Sequence, residues 1–304
     1  MRAIQESVLY ELPQQLGWQI SLSNECCNSP LWDQWYPRLR FAFFVIFLVY
    51  YVFGMPAVFW WTRRRNGASG ILNCYAYTGA VGLTALGMLL QVIAEGLLNC
   101  QKAGSLDYVK VWTAANVFRY MANVIMLYIV ILPISDRMLK HAGWTAHPLV
   151  GHWIIMAFVS IFALLFVVMW NYNLIHSVTG EETTDPNFGV EATYVTLYLV
   201  AALYAAGHLM VSRLKLIRTH GNQQGLVPWC PLLPIGLVGY ALMDFIVIFA
   251  FYIVPREYTT GASATFVILA LFFQALVFVS VPFIATSKAL EEVGAERLVD
   301  QEQK

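Results

Sequence analysis

The chain has 304 residues, 59% of them apolar and 12% charged, with zero formal net charge and a mean hydropathy of +0.61. A soluble domain of this length carries roughly twice that charged fraction, and a neutral chain offers no basic footprint for nucleic acid. The composition is that of an integral membrane protein, rich in the Tyr, Phe and Trp that settle at membrane interfaces.

In chain order, residues 1–38 are polar and irregular and contain no cleavable leader pattern, so the first apolar segment is expected to serve as its own insertion signal. Seven apolar segments follow, at approximately 39–61, 71–98, 109–134, 149–171, 190–212, 232–254 and 264–286. Each is long enough to cross a hydrocarbon core of about 30 Å as a helix, the element that satisfies its own backbone hydrogen bonds in lipid. Barrel strands would be about 10 residues long and alternate in polarity, which these segments do not. The expected fold is all-α: a polytopic seven-transmembrane-helix bundle over 39–286, between an N-terminal tail at 1–38 and a C-terminal tail at 287–304. Neither an internal repeat nor a second domain is evident. The stretch 172–190 reads as an acidic, turn-rich loop with Gly180, Pro186 and Gly189.

Charge in the loops orients the bundle. Arg63, Arg64 and Arg65 follow the first segment, Arg137 and Lys140 the third, Arg213, Lys215 and Arg218 the fifth, and Lys288 the seventh. The opposite loops hold fewer cations, which places the basic side in the cytoplasm and the N-terminus outside or in a lumen. Arg38 and Arg40 at the mouth of the first segment run against that bias. Cys26, Cys27 and Cys100 fall on the outer side, where a bridge from Cys26 or Cys27 to Cys100 is feasible; the alternative, that all the cysteines are unpaired, stands beside it. The chain has no CxxC, no HExxH and no metal-ligand spacing, so no cofactor or metal is expected.

Ionisable side chains inside spans are costly and therefore informative. Gln91 and Glu95 fall in the second segment, Asn116, Arg119 and Asn123 in the third, Glu191 and His208 in the fifth, Asp244 in the sixth and Gln274 in the seventh. Asn116, Arg119, Tyr120 and Asn123 share one helical face at i, i+3, i+4 and i+7. At a rise of about 1.5 Å per residue, Arg119 lies roughly 16 Å below the outer surface and Asp244 roughly 15 Å below it. Opposite charges at matching depth have two readings: a structural clasp between helices, or a tuned acid in a buried site. If Asp244 pairs with Arg119, Glu95 is the better proton donor; if Arg119 points elsewhere, Asp244 is. His152, His208, Tyr194, Tyr198 and Tyr204 read as interfacial or packing residues.

Three function classes compete. A seven-helix chain with the N-terminus outside suggests a receptor or sensor, and Ser135-Asp136-Arg137 resembles the acidic-Arg pair of rhodopsin-like receptors, but the seventh segment lacks Asn-Pro-x-x-Tyr. A retinal protein needs a lysine in the middle of the seventh segment, and 264–286 contains none. A transporter lacks support from inverted repeats or from many helix breaks at midplane. The third class is an enzyme acting on a lipid-soluble substrate. Acid-initiated cyclisation requires a proton donor and a dry aromatic cavity, without metal or nucleotide.

In architecture, and through Glu95 late in the second segment and Asp244 in the sixth, the chain resembles the seven-helix integral-membrane terpene cyclases of fungal meroterpenoid pathways. That resemblance implies protonation of an epoxide or alkene of a prenylated lipophilic substrate. It implies Glu95 and Asp244 as catalytic acids; the polar residues Arg119, Asn116, Asn123, Tyr120, Gln91 and Gln274 are read from their positions in the spans as binding or organising. It also implies residence in the endoplasmic reticulum or another endomembrane, with the bilayer and a lipophilic small molecule as partners. The remaining alternative is a seven-transmembrane receptor or sensor without retinal.

Overall fold

The computed structural model describes residues 35–66, 74–100, 105–141, 149–179, 187–220, 229–253 and 260–287, and these are helical almost throughout. Seven helices are long and apolar enough to cross a membrane. Helix α1 comprises Trp35–Val49, a π-helical turn at Tyr50–Gly54 and Met55–Asn66. Helix α2 is Cys74–Cys100, and α3 comprises Ser105–Ile129, a second π turn at Val130–Ile134 and Ser135–His141. Helices α4 to α7 are Leu149–Thr179, Asn187–His220, Trp229–Ile253 and Thr260–Ala285.

The two π turns interrupt helices that the apolar pattern reads as continuous, and proline accounts for both. Pro133 lies inside the α3 turn and Pro56 just past the α1 turn. A proline inside a helix has no N–H to donate, and its ring crowds the carbonyl four residues back, so the ladder widens locally. In α3 the Ser135 hydroxyl donates to the Val130 carbonyl at 3.0 Å, capping an acceptor that the wider turn leaves.

Each helix packs on its neighbour in sequence, and α7 returns to α1, closing the bundle. The apolar face of α4, with Val150, Trp153, Ile154, Phe158, Ile161 and Leu164, is exposed, as a lipid-facing helix must be. The interior of α3 is fully enclosed, with Ala122, Leu127, Val130, Ile131 and Ile134 at 0% exposure. In lipid such contacts are driven by close packing and not by removal from water, so small residues matter where backbones approach. A Cβ on Gly87 would lie 3.0 Å from the Ala115 carbonyl and 3.4 Å from the Arg119 nitrogen. Glycine at 87 therefore brings α2 against α3 one turn from the polar face. A Cβ on Gly236 would meet the Phe273 carbonyl at 3.1 Å, which sets α6 on α7 in the same way.

Helical alternation gathers Arg63, Arg64, Arg65, Arg137, Lys140, Arg213, Lys215 and Arg218 at one end of the bundle, hereafter the basic end. There Arg64 and Arg65 lie over Trp60 and Trp61, at 5.1 and 5.3 Å from the ring centroids. The helices extend beyond the expected spans: α4 continues to Thr179 and α5 starts at Asn187, so most of the stretch expected as a loop over 172–190 is helical. The tail 1–34, with Cys26 and Cys27, the segment 180–186 and residues 288–304 lie outside the described residues, as does the side chain of Cys100, so the proposed bridge does too. Cys74 and Cys230, at the basic end, are not bridged.

Candidate functional site

Most of the polar residues singled out in the spans converge away from the basic end. The organising element is the α3 face Asn116–Arg119–Tyr120–Asn123. Asn123 is 3% exposed and uses both ends of its amide. Its Oδ1 accepts from Gln274 Nε2 of α7 at 2.7 Å, and its Nδ2 donates to the Tyr240 hydroxyl of α6. Three helices are thus joined through one side chain. Having accepted that bond, the Tyr240 hydroxyl lies beside Asp244, one turn further along α6. Asp244 is within electrostatic range of Arg119, and so are Tyr240 and Tyr120. Arg119 and Asp244 do not, however, meet as a contact ion pair.

Aromatic rings wall this cluster. Tyr120 stands edge-on to Phe166 of α4 at 5.0 Å and to Tyr194 of α5 at 5.3 Å. Tyr194 meets Tyr198 at 6.0 Å, and Tyr198 meets Tyr240 at 5.9 Å. Offset and edge-on rings at such distances are the favourable arrangement of aromatic quadrupoles. Tyr194 and Tyr198 pack against their neighbours, and Tyr194 lies within electrostatic range of both Arg119 and Asp244. Tyr240 escaped the sequence reading altogether, although its position one turn before Asp244 in "GYALMDF" was a usable signal.

Several polar groups of the cluster lack partners. Arg119 Nε and Gln274 Oε1 are buried without a hydrogen bond. Among the described residues the Asn116 side chain engages none, although the residue is 7% exposed. Glu191, 5% exposed, adds a carboxyl group in range of Tyr120 from the first turns of α5.

The second candidate acid stands apart. Glu95 is 1% exposed, and its Oε2 receives Arg40 Nη2 of α1 at 2.7 Å, while Gln91 Nε2 lies 3.5 Å from Oε1. The sequence suggested no partner for Glu95 and placed Arg40 at the mouth of the bundle. The structure supplies that partner: α1 starts at Trp35, and its second turn brings Arg40, still at the mouth of the bundle, against Glu95.

A separate cluster occupies the basic end. His152 of α4 is 1% exposed, and its ring lies 5.5 Å from those of His208 and Tyr204 of α5. Neither of its ring nitrogens has a hydrogen-bond partner. His152 lies in the first turn of α4, near the end of the span, with its side chain buried. The α1 π turn also forms one wall of a cleft of about 270 Å³ against α2, lined by Tyr51, Pro56, Phe59, Tyr77 and Gly82; Asp244 is not among its lining residues. No protein-family model matches the chain, and neither a curated protein nor a solved structure is similar to it.

Proposed function

We propose that this chain is a membrane-embedded cyclase that protonates an epoxide or alkene of a prenylated lipophilic substrate, with Asp244 as the proton donor. The observation carrying this reading is that Asp244 sits within a wall of tyrosines without a basic side chain in contact, whereas Glu95 is engaged by Arg40. Acid-initiated cyclisation needs a carboxyl group that can arrive with its proton, and a contact counter-ion opposes that state. In the step itself the proton passes from the Asp244 carboxyl to the epoxide oxygen or an alkene carbon. The C–O or π bond breaks, and the resulting cation is taken up by the next alkene of the chain. Ring faces of Tyr120, Tyr194, Tyr198 and Tyr240 are the groups that would stabilise such charge. Loss of a proton from the final cation ends the sequence. Gln274, Asn123 and Tyr240 hold the acid in place, and Glu95 with Arg40 and Gln91 locks α1 to α2. The N-terminus is proposed to face a lumen and the basic end the cytoplasm, in an endomembrane.

The test is product formation in a host supplied with a prenylated epoxide. Asp244→Asn is expected to abolish cyclised product, and full product from that variant sinks the assignment. The second reading, a receptor or sensor without retinal, draws on the π turn at Val130–Ile134, which lies in α3 between Arg119 and Ser135-Asp136-Arg137 and offers a hinge between ligand and the basic end. Under it, ligand-dependent coupling survives Asp244→Asn and fails when Pro133→Ala straightens the turn.

A further inference from the structure

A guanidinium group inside a membrane protein is normally paired, because several kcal/mol of desolvation would otherwise stand uncompensated. Arg119 meets this rule only at a distance: Asp244 and Tyr240 lie within electrostatic range of it, without a contact ion pair among the described residues. Its nearest hydrogen-bonding neighbour is the adjacent Tyr120, whose ring centroid lies 5.7 Å from the guanidinium carbon. Among the described residues its Nε is buried with no acceptor, and no carboxylate reaches it at contact distance. A guanidinium carries five N–H donors in a planar fork, so most of its donor capacity is unused. One turn earlier on the same face, Asn116 also has an unengaged amide among the described residues. The Arg119 residue as a whole is half-buried, and the rings beside it, Tyr120, Tyr194 and Tyr198, are buried.

We infer that Arg119 and Asn116 form a docking site for an anionic oxygen headgroup, a carboxylate or its enolate or phenolate equivalent, on a lipophilic molecule whose tail lies along Tyr120, Tyr194 and Tyr198. The geometry suits this ligand class. A planar fork binds a carboxylate through two parallel N–H···O bonds, and a neighbouring amide N–H can take a remaining lone pair. Neutral hydrocarbon satisfies none of these donors, and a cation is repelled by them. The site coincides with that of the proposed cyclase and names the headgroup of its substrate, but it rests only on that reading's location, not on its chemistry.

The test measures binding directly, on the full chain in lipid nanodiscs, with farnesoate and palmitate as probes against farnesol and hexadecanol. A bidentate charged contact that replaces a hydroxyl contact is expected to give at least about tenfold tighter binding of each acid than of its alcohol, tenfold being 1.4 kcal/mol. Arg119→Met is expected to bring that ratio to about unity, and Arg119→Lys to retain part of it, since lysine keeps the charge without the fork. Because the ratio is taken within one variant, it does not depend on how much of that variant is folded. Asn116→Leu, which leaves the charge in place, is expected to lower the ratio only a few-fold. A stronger preference for farnesoate than for palmitate marks an isoprenoid tail, and the reverse an acyl one; either supports the site. Equal binding of acids and alcohols to the unaltered chain overturns the inference, and so does a preference that survives Arg119→Met. The outcomes are separable from those of the cyclase: Asp244→Asn that forms no product yet keeps the acid preference upholds both, and Asp244→Asn that keeps full product along with the preference removes only the cyclase.

Discussion

Glu95 and Asp244 are the two carboxyl groups put forward as candidate acids, and the bundle treats them in opposite ways. Glu95 lies late in α2 against the second turn of α1, where Arg40 comes within 2.7 Å and Gln91 lies one turn back. Its bonding belongs to the wall of the bundle. Asp244 lies beside Tyr240 among the rings of α3, α5 and α6, with the positive charge of Arg119 near but not in contact. The same chemical group is therefore a helix tie in one place and, in the other, an acid held by a tyrosine with no base in contact. The difference lies in which partner helix brings a base to contact distance. A carboxyl group inside a membrane thus marks a reactive site only once its partner is known.

The sharpest way to break this contrast is to neutralise each acid. Asp244→Asn is expected to lower product formation by at least about 10²-fold, the scale of a lost general acid, while Glu95→Gln combined with Arg40→Gln leaves detectable product. Equal loss from both would erase the distinction. Next in size is Arg40→Met. It removes the cation in contact with Glu95; a fully buried pair would lose about 3–5 kcal/mol in this way, and the 26% exposure of Arg40 sets the expected loss below that. Unfolding in detergent should report that loss, and Arg40→Met with Glu95→Met should recover most of it. Recovery is not expected for Arg119→Met combined with Asp244→Leu if those two form no clasp.

Smaller effects sharpen the comparison further. Gly87→Val places a branched side chain where a Cβ alone already meets the Ala115 carbonyl at 3.0 Å. Overpacking of this kind costs about 1–3 kcal/mol, and because the same site adjoins the Arg119 backbone, the variant should lose acid binding as well as stability. Asn123→Leu unties α7 from α6 and should cost about 1 kcal/mol, the scale of a polar contact between membrane helices, together with a larger loss of product as Tyr240 and Asp244 lose their anchor. At the basic end, Lys140→Ala removes a half-exposed i, i+4 contact to Asp136 of 2.6 Å, worth about 0.3–0.5 kcal/mol. It should be nearly silent in both assays.

The apolar pattern was sufficient for seven helices and for the face of α3, because lipid permits few other backbones and because helical periodicity puts residues 116, 119, 120 and 123 on one side whatever surrounds them. Depth matching likewise brought Arg119 and Asp244 to one level, since rise per residue is independent of packing. Other features were not legible. The Arg40–Glu95 pair joins residues 55 positions apart, and no local rule ties the start of one helix to the end of the next. The π turns depend on how Pro56 and Pro133 are accommodated by neighbours that re-satisfy the freed carbonyls. Tyr240, Tyr194 and Tyr198 belong to the site only because α5 and α6 rotate those faces toward α3. What this sequence determined by itself is therefore one-dimensional: which segments enter the membrane, which residues share a face, and how deep each charge lies. The tertiary structure alone decided which of those charges meet, because contact at a few ångströms depends on helix rotation and close approach, and these are set by side chains from several helices at once.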